Sequence, residues 1–78
     1  MRPIEAIARD IRADWKDVYF GAEPYLVAME TLTSMKDSYG LDSADSIIMY
    51  FLANARGWRG DKARFIKTEL KRMLGDKK

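Results

Sequence analysis

The sequence contains no cysteine and no histidine. The first absence removes disulfide staples and every thiolate nucleophile or thiolate metal ligand. The second removes the commonest metal ligand and the one side chain that titrates near neutral pH without perturbation. Zinc centres and the Ser-His-Asp and Cys-His catalytic arrangements are thereby excluded. Only oxygen ligands remain for a metal. Asp10, Asp14 and Asp17 fall on one side of a helix by their spacing, but no loop alternates carboxylates around a central glycine as a calcium site does. They read as a solvated face, and no metal is expected. There is also no Gly-x-Ser-x-Gly, no phosphate loop and no dinucleotide fingerprint. The expectation is a protein that is not an enzyme and holds no cofactor.

Long hydrophobic runs are missing too. The longest, residues 47–53, falls far short of the roughly 20 residues that span a bilayer. The opening residues MRPIE carry no apolar run behind them, and acidic residues follow at Glu5, Asp10 and Asp14, unlike a secretory signal. A cytoplasmic protein with no membrane partner is expected.

What is present fits one folded domain. The chain has 78 residues, 47% hydrophobic and 33% charged, a balance typical of globular proteins. A domain of this size buries only roughly 60% of its unfolded surface. Its thin core makes a structural homodimer one reading of the chain.

Periodicity predicts an all-α compact bundle of four helices, over 3–19, 24–35, 43–56 and 61–74. In the first, Ile4, Ile7, Ala8, Ile11, Trp15 and Val18 recur at spacings of three and four. Pro3 suits its first turn, and Glu5 and Arg9 form an i,i+4 pair. Gly21 is read as a left-handed helix stop and Pro24 as the start of the second helix, whose inner face is Tyr25, Ala28, Met29 and Leu32. Residues 36–42 are the longest loop, after which Asp42 or Ser43 caps the third helix. Residues 47–53 are apolar on every side, so this helix is placed at the centre of the bundle. Gly57 and Gly60 bound a tight connector, and Asp61 is read as the cap of the fourth helix. That helix has a stripe of Ala63, Ile66, Leu70, Met73 and Leu74. Most of the nine aromatics are assigned to the core. Trp58, Phe65 and Tyr39 lie off the stripes or in loops, which leaves two readings open for each, a core or local staple position or an exposed contact aromatic, the first being favoured for each one singly.

Charge is unevenly placed. Residues 1–53 hold five basic side chains against nine acidic ones, a balance of −4, whereas residues 54–78 hold nine against three, a balance of +6. An acidic front and a basic end either offset each other inside the bundle or leave a surface for an anionic partner. The candidate contact residues are Arg56, Trp58, Arg59, Lys62, Arg64, Lys67 and Lys71. In a helix-turn-helix reading, Lys62 and Arg64 reach bases, Arg59 meets phosphate and Trp58 stacks or wedges. A DNA- or RNA-binding protein is therefore one alternative. The glycine pair at 57 and 60 also resembles the backbone clamp of a KH domain, but helix connectors use glycines in the same way.

Residues 14–26 (DWKDVYFGAEPYL) and 50–64 (YFLANARGWRGDKAR) carry a resemblance. The chain resembles short proteins encoded by prophages and integrative mobile elements of Firmicutes. The resemblance implies a small accessory factor, a regulator or an inhibitor of a host defence system, a class that includes anti-CRISPR proteins. The leading expectation is a non-enzymatic accessory protein that binds a protein partner through the Trp58 and Arg59 turn and the basic face of the last helix.

Overall fold

The computed structural model describes residues 2–75. Helix α1 is Ile4–Asp14, α2 is Glu23–Met29, α3 is Ala44–Ala53 and α4 is Asp61–Gly75. Between α2 and α3 lies a small antiparallel hairpin, β1 Ser38–Tyr39 and β2 Asp42–Ser43, with Ser38 opposite Ser43 and Tyr39 opposite Asp42. The protein is mostly helical, and this sheet corrects the all-α expectation. Its turn depends on Gly40, whose φ of 62° suits the first loop position of a two-residue hairpin. Asp37 secures the hairpin's base. Its carboxylate accepts the Thr33 and Ser34 N–H groups at 2.8 and 3.0 Å, and its carbonyl accepts from the Ala44 N–H at 3.2 Å.

The first three helices are shorter than or shifted from their predicted spans, for local reasons, while α4 keeps its predicted start and runs one residue further. Helix α1 buries Ile4, Ile7, Ala8 and Ile11. It ends at Asp14 rather than 19 because Trp15 leaves helical geometry (φ −95°, ψ 89°) and turns its ring into the core. Pro3 precedes the helix in extended geometry instead of opening its first turn. The free N–H groups of Ile4 and Glu5 donate to the carbonyls of Thr33 and Leu32 at 3.0 and 2.9 Å. The start of α1 is thus satisfied by the segment after α2. Helix α2 gives way after Met29 to tighter turns, in which Thr31 and Leu32 donate back three residues. The Thr31 hydroxyl also donates to the Ala28 carbonyl at 2.8 Å, the kind of local bond that competes with a continuing helix.

Helix α3 is capped by Ser43, whose hydroxyl accepts the Ser46 N–H at 3.2 Å. It buries Ala44, Ile47, Ile48 and Phe51, but Met49 and Tyr50 face solvent. The expectation of a helix enclosed on all sides is therefore corrected. A chain this small has too few elements to surround one of its own helices. Helix α4 buries Ala63, Ile66, Leu70 and Met73 and runs through Gly75. Its first helical bond goes from the Arg64 N–H to the carbonyl of Gly60, which has a φ of 113°. Asp61 lies inside the first turn, and its carboxylate pairs with Arg64 at 3.4 Å rather than capping the helix.

Gly21 does not take the left-handed conformation predicted for it, since the positive-φ glycines are Gly40 and Gly60. Its constraint is space. A Cβ there would stand 2.5 Å from the Tyr19 ring and 2.9 Å from Asn54 Oδ1.

Candidate contact surfaces

The cations divide into those tied within the fold and those left on its surface. Arg2 donates to both carboxylate oxygens of Glu69, at 3.0 and 2.7 Å, and to Asp10 at 2.6 Å. It thereby joins the start of α1 to α4. Arg12 donates to Glu23 at 2.7 Å and to Glu30 at 2.6 Å, spanning both ends of α2 from α1. Lys62 stands 3.7 Å from Asp10. These hydrogen bonds raise both guanidinium groups further above their ordinary pKa. They lower the carboxyls of Asp10, chiefly through Arg2, and of Glu23, through Arg12. The Glu5 and Arg9 pair read from the sequence is not formed among the described residues.

The sequence-predicted contact residues have different fates. Trp58 is only 2% exposed, which corrects its reading as a contact residue. Its Nε1–H donates to Asp14 Oδ2 at 2.8 Å. Its ring stacks on Trp15, 5.7 Å between centroids and 8° between planes, and meets Phe51 edge-on at 6.4 Å. The indole finds its hydrogen-bond partner inside the fold, as buried tryptophans usually do. Lys67 is also turned inward. Its ammonium donates to the carbonyls of Ala55 and Trp58 at 2.7 and 2.6 Å and lies 5.8 Å from the Trp58 ring centroid. Desolvation lowers its pKa, aided by the neighbouring charges of Lys71 and Arg59. Lys67 is thus a clasp on the 54–60 connector.

Arg56, Arg59 and Lys71 are exposed and make no ion pair with any described residue. The Arg64 side chain is 79% exposed and reaches only Asp61, itself 99% exposed. Two clefts flank the connector. One, of about 270 Å³, is lined by Trp58, Arg59, Gly60, Ala63, Arg64 and Lys67. The other, of about 400 Å³, is lined by Tyr19, Ala53, Asn54, Arg56 and Gly57.

The second cleft opens beside residues that the sequence reading placed in the core. Phe20 is 81% exposed and Tyr50 is 54% exposed, with Tyr19 similar. The Tyr19 and Phe20 rings lie 4.8 Å apart, and Tyr25 and Tyr50 lie 5.5 Å apart. Asn54 joins the two pairs. Its Nδ2 donates to the Tyr50 carbonyl at 2.8 Å, while its Oδ1 faces Gly21 beside the Tyr19 ring. The sequence did hold a signal for Tyr50. The buried positions 44, 47, 48, 51 and 55 leave 49, 50 and 53 on the outer side of α3. Phe65 and Tyr39 are exposed, against the core or local-staple position favoured for each from the sequence.

Among the described residues, no group of side chains could hold a metal ion, and no helix is long and apolar enough to cross a membrane. No family model, curated protein or solved structure matches the chain.

Proposed function

We propose that this is a non-enzymatic accessory protein that binds a protein partner. The observation that carries the reading is the set of exposed aromatics Tyr19, Phe20 and Tyr50, the last beside the half-buried Tyr25, with Tyr19 and Arg56 lining one cleft. Tyrosine, phenylalanine and arginine are enriched at protein interfaces, where rigid rings supply contact area at small entropic cost. Exposing such rings side by side also wastes burial that a small core would otherwise use, about 25 cal/mol for each Å² of apolar surface. A role in a mobile element, as a regulator or an inhibitor of host defence, follows from the sequence resemblance and forms part of the same proposal.

The nucleic-acid alternative draws less support. The start of α4, which would enter a groove, carries the exposed carboxylate of Asp61, and Lys62 is drawn to Asp10. The 54–60 connector is also longer than the three- or four-residue turn of a helix-turn-helix unit. The test is capture of a partner from host lysate with and without nuclease, using the wild-type chain and a Phe20→Ser, Tyr50→Ser variant. Nuclease-resistant capture, reduced at least about tenfold in the variant, is expected, equivalent to about 1.4 kcal/mol. Capture that disappears with nuclease sinks the reading.

A further inference from the structure

A second surface lies on α4, beyond the exposed aromatics. Arg64, Lys67 and Lys71 follow one another at spacings of three and four, so their side chains share one flank of the helix. Leu74 continues the same row three residues on and packs partly against the core. Arg59 stands at its head, in the cleft that also holds Arg64 and Lys67. The row from residue 64 to 71 rises about 10 Å, or two helical turns.

Little of this charge is offset from within the fold, where Arg64 reaches only the exposed carboxylate of Asp61 at 3.4 Å. Arg59 and Lys71 meet no carboxylate, and Lys67 is held by two carbonyls rather than by an acid. Like charges four residues apart on a helix destabilise it by a few tenths of a kcal/mol, roughly 0.2–0.5. Desolvation chiefly lowers the pKa of Lys67, and the neighbouring charges of Lys71 and Arg59 add to the shift. Four of the acidic residues are spent elsewhere, with Asp10, Glu23, Glu30 and Glu69 paired to Arg2, Arg12 and Lys62. Within the isolated molecule Lys67 has a structural use, as the clasp on the connector, whereas Arg59 and Lys71 make no ion pair with any described residue. A partner that brings carboxylates at matching intervals removes the repulsion.

We infer that this flank of α4 docks an acidic amphipathic helix of a protein partner, its carboxylates spaced at three and four residues to meet Arg64, Lys67 and Lys71. Arg59 and Arg64 supply planar forks that suit carboxylates, and Leu74 offers an apolar end to the row. Lys67 already spends two of its three N–H donors within the fold, so one remains for the partner. The exposed carboxylate of Asp61 beside Arg64 faces a duplex and an acidic helix alike, and the test separates the two. The inference does not depend on the exposed aromatics.

The probe is a helical peptide with glutamates on one face at spacings of three and four, beside leucines. Its controls are a peptide of equal composition with the glutamates spread around the helix, and a DNA duplex. Binding to the full chain is followed by fluorescence anisotropy. The in-register peptide is expected to bind at least about tenfold more tightly than the scrambled peptide and the duplex. Lys71→Glu and Arg64→Glu, both at exposed positions, each weaken it by a similar factor with an unchanged circular dichroism spectrum. The Phe20→Ser, Tyr50→Ser variant retains it, so failure of the exposed-aromatic proposal and failure of this one give different results. No binding by the in-register peptide, equal binding by the two peptides, tighter binding by the duplex, or indifference to Lys71→Glu overturns the inference.

Discussion

Two aromatic clusters in this molecule have opposite fates. The inner one, Trp15, Phe51 and Trp58, is buried and joined by a stacked and two edge-on contacts. The outer one, Tyr19, Phe20, Tyr25 and Tyr50, is joined by two tilted contacts and is largely exposed, with Tyr25 half-buried. Residue type does not separate them, since both consist of large rings. What separates them is partnership for polar atoms and enclosure by other elements. Trp58 sends its only polar hydrogen to Asp14, and Lys67 closes over it from α4. No element covers Tyr19, Phe20 or Tyr50. The inner cluster is where folding energy is gained, and the outer one is where a partner has most to gain.

The largest effect should come from the inner cluster. Trp58→Ala removes a ring enclosed by Trp15, Phe51 and Lys67, and tryptophan truncations in cores cost about 3–5 kcal/mol. A domain of this length has only about 4–12 kcal/mol in total. Chemical denaturation should show the midpoint falling sharply, or no cooperative transition at all. Trp58→Phe keeps most of the apolar bulk and deletes the bond to Asp14, so it should cost less than Trp58→Ala. Equal losses in the two variants would show that the buried hydrogen bond, not ring packing, holds the cluster.

The next effect tests the closure over that cluster. Lys67→Met retains the apolar stem and deletes the donors to Ala55 and Trp58. The Ala55 carbonyl keeps the Trp58 N–H at 3.1 Å, but leaving the partly buried Trp58 carbonyl without its donor costs about 1–3 kcal/mol. Removal of a desolvated charge offsets part of this. A net destabilisation of about 1 kcal/mol is expected in urea titration. A stabilised variant would mean that repulsion from Lys71 and Arg59 outweighs the carbonyl contacts.

How much of this was legible in the sequence depended on the range of the interaction. The stripes of Ile4, Ile7 and Ile11 and of Ala63, Ile66 and Leu70 are local periodicities, and all six residues are buried. The early end of α1, by contrast, is set by Trp15 turning toward Trp58 and Phe51. The burial of Trp58 rests on Asp14, 44 positions away. Neither distance can be read from spacing along the chain. In the candidate contact segment, charge composition located the exposed Arg56, Arg59, Arg64 and Lys71, but it could not separate them from Lys67, whose partners are backbone carbonyls. The hairpin was missed because its strands are two residues long and carry no alternating apolar pattern.

Charged clasps tie α1 to α2 and to α4 and secure the hairpin, and pH separates their contribution from ring packing. The carboxyls of Asp10, Glu23 and Asp37 are lowered from ordinary values of 3.8, 4.5 and 3.8 by, respectively, Arg2, Arg12 and the backbone N–H groups of Ser34 and Thr33. A folded-state pKa below the unfolded value gives stability that is complete above the ordinary range and lost as pH falls through the folded value. Thermal midpoints should therefore hold steady down to pH about 4.5 and decline below it. The decline should be smaller in an Arg12→Gln variant, which has already lost the clasp from α1 to α2. An equal decline in that variant would remove Arg12 from the account.

The smallest stability effect is expected at the outer cluster, and there a small effect is the informative one. Tyr50 is more than half exposed, and Asn54 bonds its backbone carbonyl rather than its side chain. Phe20 loses little by truncation because its ring is mostly in water already. Phe20→Ser and Tyr50→Ser should each change unfolding free energy by no more than about 0.5 kcal/mol, the range of ordinary surface substitutions. A loss near that of Trp58→Ala would make the outer rings part of the core and erase the contrast between the clusters. If stability is retained while partner capture falls, the two functions of aromatic side chains here are separable: one cluster makes the fold, and the other is left for what the fold binds.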